Sequence, residues 1–222
     1  MSSTSRVALA FLLGLIASSV FWYQSARHGW FQIGSPSSTG EWTVDDQQRI
    51  ATQLPAGMES YVQAATPGPE HLRLAELVGT FDAHVLFTDR PGHDPDRLQG
   101  HAVNTMVAGG LYLQTRYTGR FFDQDFDGVG LLGFDRAAGR YATTWVDSMG
   151  SYLVAFKDTG GSTPERIEFT TEVVDPVAGH LESRRRLISV QGPDSWRLQE
   201  WLVSPEAPEQ DEKVLDVQFA RR

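Results

Sequence analysis

The 222-residue sequence has no cysteine. That excludes disulfide bridges, thiolate metal sites and a cysteine nucleophile, and it leaves the compartment open, because an extracytoplasmic protein need not use its oxidising environment. Positive charge is scarce: from Trp42 onward 17 Lys and Arg stand against 27 Asp and Glu, a formal charge of 17 − 27 = −10. Such a surface repels a phosphate backbone, so nucleic acid is not an expected partner. Ser148 sits in "VDSMG", which is not the Gly-x-Ser-x-Gly elbow of an activated serine. His93, Asp94 and Asp96 lie in a Gly/Pro loop without the rigid spacing of a His-Glu-x-x-His helix. "DQDFDG" matches the first half of a calcium loop at Asp123, Asp125, Asp127 and Gly128, yet its twelfth position is Phe134 in place of the bidentate acid. No catalytic residue, metal ligand or cofactor is nominated.

What is present begins with an uncharged run at residues 7–23, behind Arg6. Its 17 residues are few for a membrane-spanning helix and many for a signal-peptide core. Ala17 and Ser19 form a small-x-small cleavage pattern, whereas Phe21, Trp22 and Tyr23 followed by Arg27 form the aromatic and basic edge of a retained helix. Residues 1–24 are therefore expected to be a signal anchor or signal peptide. The first implies single-pass attachment to the inner membrane with the acidic bulk outside the cytoplasm, the second a soluble periplasmic or secreted protein. Residues 25–42, rich in Gly and Ser, read as a linker. Residues 43–78 carry two short helical signals, "TVDDQQRIATQL" and "PGPEHLRLAELVG". The second sets Leu72, Ala75, Leu74 and Leu77 on a helix that would cap one end of the following sheet.

After Gly79 the hydrophobic period changes to two. "TFDAHVLF" alternates Phe81, Ala83, Val85 and Phe87 against Thr80, Asp82 and His84, and nine further segments repeat the texture. Their separators are mostly short and rich in Gly, Asp or Pro, with no helix long enough for a parallel crossover. Residues 79–222 are thus expected to form an all-β antiparallel meander, closed or nearly closed into a barrel, with a two-sheet sandwich as the alternative.

The block "FDGVGLLGFDRAAGRYATTWVDSMG" at residues 126–150 resembles the signature of a bacterial family of unknown function, whose members carry a sequence like "FEGLGILGYDNxxKKYxSTWIDSMG". The likeness extends more loosely from "LVGTF" at residues 77–81 to the last strand. It implies a calycin-type barrel and transfers no catalytic residue. Phe81 stands where lipocalins often have Trp.

Within that block, Thr143, Trp145 and Asp147 share one strand face. If it faces inward, Trp145 fills core or stacks on a ligand, and Asp147 bonds a ligand or the turn amides. Tyr112, Tyr117 and Tyr141 offer further apolar wall with polar handles. Arg116 or Arg185, if inward, would need an acid, a carbonyl or an anionic ligand, because an unpaired buried charge is strongly unfavourable. The expected function is a membrane-tethered barrel binding a small amphipathic or anionic ligand. A protein partner engaging exposed Trp196 and Trp201 is the alternative, and an enzyme of unidentified class stands third.

Overall fold

The computed structural model describes residues 63–88, 93–175, 179–204 and 211–222. The run 7–23, the linker and the "TVDDQQRIATQL" segment lie outside the described residues. Among the described residues, no helix is long and apolar enough to cross a membrane.

All ten expected strands form: β1 (Gly79–Phe87), β2 (Asp96–Val107), β3 (Tyr112–Phe121), β4 (Gln124–Asp135), β5 (Arg140–Asp147), β6 (Val154–Asp158), β7 (Arg166–Val174), β8 (Leu181–Val190), β9 (Ser195–Leu202) and β10 (Glu212–Arg221). Each pairs antiparallel with its neighbours in sequence, and β1 also pairs with β10, so the sheet closes into a barrel. Closure settles barrel against sandwich, and it leaves neither β1 nor β10 as a free edge.

The register fixes which alternate residues point inward. Phe81, Ala83 and Val85 on β1 oppose Arg221, Phe219 and Val217 on β10, and Thr143 and Trp145 on β5 oppose Phe156 and Val154 on β6. The dry core fills the half nearest the start of β1, where Phe81, Leu113, Ile167, Phe169, Trp196 and Phe219 are all buried. Trp196 stacks on Phe219 with ring centroids 3.7 Å apart. The expectation that Trp196 is an exposed contact residue is therefore corrected: its position on β9 faces inward.

One helix, α1 (Pro69–Ala75), closes this end. Pro69 occupies its first turn with Glu70, and the Gly68 amide donates to His71 Nδ1 at 2.9 Å. His71 and Leu74 are buried, as is Leu77 just beyond, because residues three apart fall on one helical face. Leu72 lies off that face and is 62% exposed, contrary to its expected burial. Burying Leu74 and Leu77 stabilises by roughly 1.5–3 kcal/mol each. Asn104 Nδ2 donates to the Leu77 carbonyl at 3.0 Å, tying the chain after α1 to the barrel interior.

Candidate binding site at the open end of the barrel

At the opposite end of the strands no described helix caps the barrel. The block around Trp145 sits here. Gly128 and Gly130 on β4 face inward, opposite Asp147 and Trp145. A Cβ at Gly128 would lie 2.2 Å from Trp145 Cζ2, so the indole rests where only a glycine leaves room. Trp145 Nε1 donates to Asp147 Oδ2 at 2.8 Å, and the Met149 amide donates to Asp147 Oδ1 at 2.9 Å. One carboxylate thus orients the indole and shapes the turn. Ser148 is spent on the same corner: its amide donates to the Asp127 carbonyl, and the Asp127 amide donates to its Oγ. Tyr152 lies against Gly150. Burial, then the nearby Asp147, pushes the Tyr152 phenol up, against an opposing pull from Arg184.

Tyr117 on β3 is set in the same way, over Gly100 and Gly119, with its ring centroid 5.6 Å from that of Phe126. Glycines on three adjacent strands thus make room for two aromatic plates on the inner wall.

The facing wall is ionic. Glu200 on β9 is buried between Arg186, which donates from Nε at 3.0 Å and Nη2 at 2.7 Å, and Arg184, which donates from Nη1 at 3.1 Å. Arg184 Nη2 also donates to Glu182 at 3.0 Å. Burial pushes the Glu200 carboxyl up, but the two guanidiniums outweigh it and hold Glu200 below the usual range. The Arg186 guanidinium carbon lies 3.7 Å from the Phe156 ring centroid. Arg184 spends two of its five N–H donors on these carboxylates. Among the described residues its enclosed Nε has no hydrogen-bond partner.

The structure thus brings together Tyr117, Trp145 and Asp147 from the candidates read in the sequence. Tyr141 faces inward at the other end, beneath α1, where burial followed by Glu70, Glu165 and Asp158 pushes its phenol up to about 12. Tyr112 and Arg116 point outward. Arg185 also points outward, stacked 4.1 Å above the Trp201 ring and paired with Asp211 at 3.4 Å. The interior arginines are its neighbours Arg184 and Arg186, which share their face with Ile188 and Val190, the signal that would have selected them. Tyr152 and Glu200 carried no such mark.

The closed ladder, with these groups inside it, fits a family match. Residues 66–221 match the family described as "Protein of unknown function (DUF1579)". The chain belongs to that family. Among solved structures, this DUF1579 barrel is similar to Rv2717c from M. tuberculosis at 15% identity and a TM-score of 0.50, over 71% of this chain and 99% of that one. A redesigned beta barrel aligns at 12% identity and a TM-score of 0.33, over 68% and 95% of the two chains. EF1p2_mFAP2b bound to DFHBI aligns at 13% identity and 0.34, over 68% and 98%. The likeness to Rv2717c is one of fold. No curated protein matches the chain.

A concavity of about 480 Å³ lies away from these groups, across β2, β1, β10 and β9. It is lined mainly by outward-facing groups, including His84, Arg97, Gln99, Arg197 and Gln218. Asp216 lies buried among Arg197, Lys213 and Gln199, each donating to it. Among the described residues, no group of three or more His, Asp or Glu has metal-holding geometry.

Proposed function

We propose that this barrel binds a small amphipathic molecule through its open end, with the apolar body against Trp145 and Tyr117 and an acceptor oxygen of the polar head on Arg184. The observation that carries the reading is a contrast between the two halves. Among the described residues most inward-facing side chains near α1 are buried, with Met106, Phe134 and Val190 part-accessible, whereas Tyr117, Trp145, Asp147, Thr171 and Arg184 at the other end face inward and stay part-accessible. An interior that water reaches, walled by aromatic rings on one side and an arginine with unspent donors on the other, has the makeup of a ligand site. A carboxylate or carbonyl oxygen satisfies Arg184 without disturbing Glu200 or Glu182.

Displacement of anilinonaphthalene sulfonate from the full chain by decanoate and by methyl decanoate tests this. Arg184→Gln is expected to weaken binding of these ligands about tenfold or more, the value of a hydrogen bond to a charged group. Trp145→Phe should weaken it less, because much of the stacking area remains. Affinity indifferent to both substitutions overturns the site.

The uncharged run at residues 7–23 supports the further reading that the barrel is tethered to a membrane, outside the cytoplasm. Membrane-fraction protein should then resist carbonate extraction and keep peptides from residues 2–24. Recovery only as a soluble chain beginning near Val20 or Ala26 replaces the anchor with a cleaved signal.

A further inference from the structure

The exposed large apolar side chains are unevenly placed. Phe122, Met149, Tyr152, Leu153, Val174 and Leu181 are each about half exposed or more, and all lie on turns or strand ends at the open rim. Phe122 adds an independent observation. Phe121 pairs with Gln124, so Phe122 and Asp123 form a two-residue turn, and both have positive φ, +46° and +62°. Such a turn favours Asn-Gly, and a bulky aromatic at φ > 0 is disfavoured by sterics. The Phe122 ring rests edge-on against Phe121, with centroids 4.5 Å apart, yet stays 56% exposed, and a strained backbone that holds it at the rim points to a use for that ring.

We propose that the open rim docks on the surface of an uncharged lipid bilayer, placing the barrel mouth against the lipid. Charge selects this occupant over a second copy. Asp94, Asp96, Asp123 and Asp125 are exposed at the same end, so two rims face to face would bring like charges together, whereas a zwitterionic headgroup layer carries no net charge to oppose them. The six side chains stand on three hairpins, β3–β4, β5–β6 and β7–β8, and they suit a yielding lipid surface, where aromatic rings sit well at headgroup level. Chain length permits the orientation. The 39 residues from 24 to 62 can extend at most roughly 130 Å at about 3.3 Å each, whereas a ten-residue strand is about 33 Å long. Either barrel end can therefore reach a membrane at which residues 7–23 are held, and the chemistry of the ends decides. Both ends carry ion pairs, Arg221 with Asp194 and Arg222 with Asp82 near α1 and Arg120 with Asp123 and Arg185 with Asp211 near the rim, but of the large exposed apolar side chains the α1 end has Leu72 and Val78 where the rim has six. Docking takes its purpose from the proposed binding of an amphipath, which would then pass between lipid and barrel without crossing water.

Because the chain has no cysteine, single labels can be placed by Phe122→Cys, Leu153→Cys or, as a control beside α1, Leu72→Cys. The full chain is labelled with bimane and mixed with, or reconstituted into, phosphatidylcholine vesicles. Rim labels should be quenched severalfold more by a nitroxide lipid than the Leu72 label and should be shielded from aqueous iodide. Added phosphatidylserine should weaken both effects. Equal iodide access at the rim and at Leu72 overturns the proposal, as does rim shielding that rises with protein concentration without lipid, which would mean a rim-to-rim contact. The paired substitutions Phe122→Asp and Leu153→Asp should abolish lipid quenching of a Met149→Cys label while decanoate binding persists. Arg184→Gln should do the reverse, so failure of the ligand reading and failure of docking are distinguishable.

Discussion

Asp147 holds two groups at once, the Trp145 indole through Oδ2 and the Met149 amide through Oδ1. Removing the carboxylate leaves both donors without their partner. Asp147→Ala is therefore expected to lower unfolding stability by about 1–3 kcal/mol in urea titrations, with or without decanoate. A second residue-scale prediction concerns Glu200. Arg186→Met leaves the buried Glu200 carboxylate with Arg184 as its one cationic partner and should cost about 1.5–3 kcal/mol, whereas adding Glu200→Leu should recover part of that loss. A double-mutant cycle measured by urea unfolding checks it, and equal costs for the single and double variants would contradict the buried-pair account. The inward faces of β5 and β3 were legible because alternation pairs Trp145 with Asp147 and separates Tyr117 from Arg116. The arginine run at residues 184–186 was not, since three consecutive cations put charge on both faces of β8 and only the apolar residues beyond break the tie.

At the scale of elements, α1 is a seven-residue plug whose hold depends on a neutral histidine. His71 Nδ1 accepts from the Gly68 amide, so the ring proton sits on Nε2. Burial holds the His71 pKa below 6.5, with Arg136 acting in the same direction and the Phe134 carbonyl and Glu70 opposing. A histidine depressed in the folded state contributes stability that is fully present above its unfolded pKa. That contribution is lost as pH falls through the unfolded pKa toward the folded one, where the loss levels off. Urea stability should thus drop between pH 7.5 and pH 5.5, and His71→Gln should flatten that window. The depressed carboxyls of Glu200 and Asp216 act lower, below about 4. Strand positions were readable because a half-buried strand must alternate. The exposed Leu72 was not, because a helix this short offers too few turns to define its buried stripe.

For the whole molecule, the decisive fact is that the first and last strands are partners, which no local pattern announces. The end of β10 also fastens the plug: Arg221 donates from Nη1 to the Val78 carbonyl at 2.7 Å and from Nη2 to the Glu76 carbonyl at 2.9 Å. Its guanidinium carbon lies 4.8 Å from the Phe81 ring centroid. Gly79 makes room for it, since a Cβ there would meet Arg221 Nη1 at 2.1 Å. Deleting Arg221 and Arg222 should cost roughly 1–3 kcal/mol, read as a lower urea midpoint, with the greatest loss of amide protection in α1 and β1.

Joining Phe81 to Arg221 also sets an order of events in synthesis. Of the ten strands β10 is made after the other nine, so β1 waits with one side unpaired until all of them have been synthesised. A prematurely terminated chain would present two adhesive margins instead of none, making it a substrate for chaperones and proteases in a way the finished molecule is not. With its defining contact spanning most of the domain, folding should be slow for its size, on a timescale of about milliseconds to seconds after release.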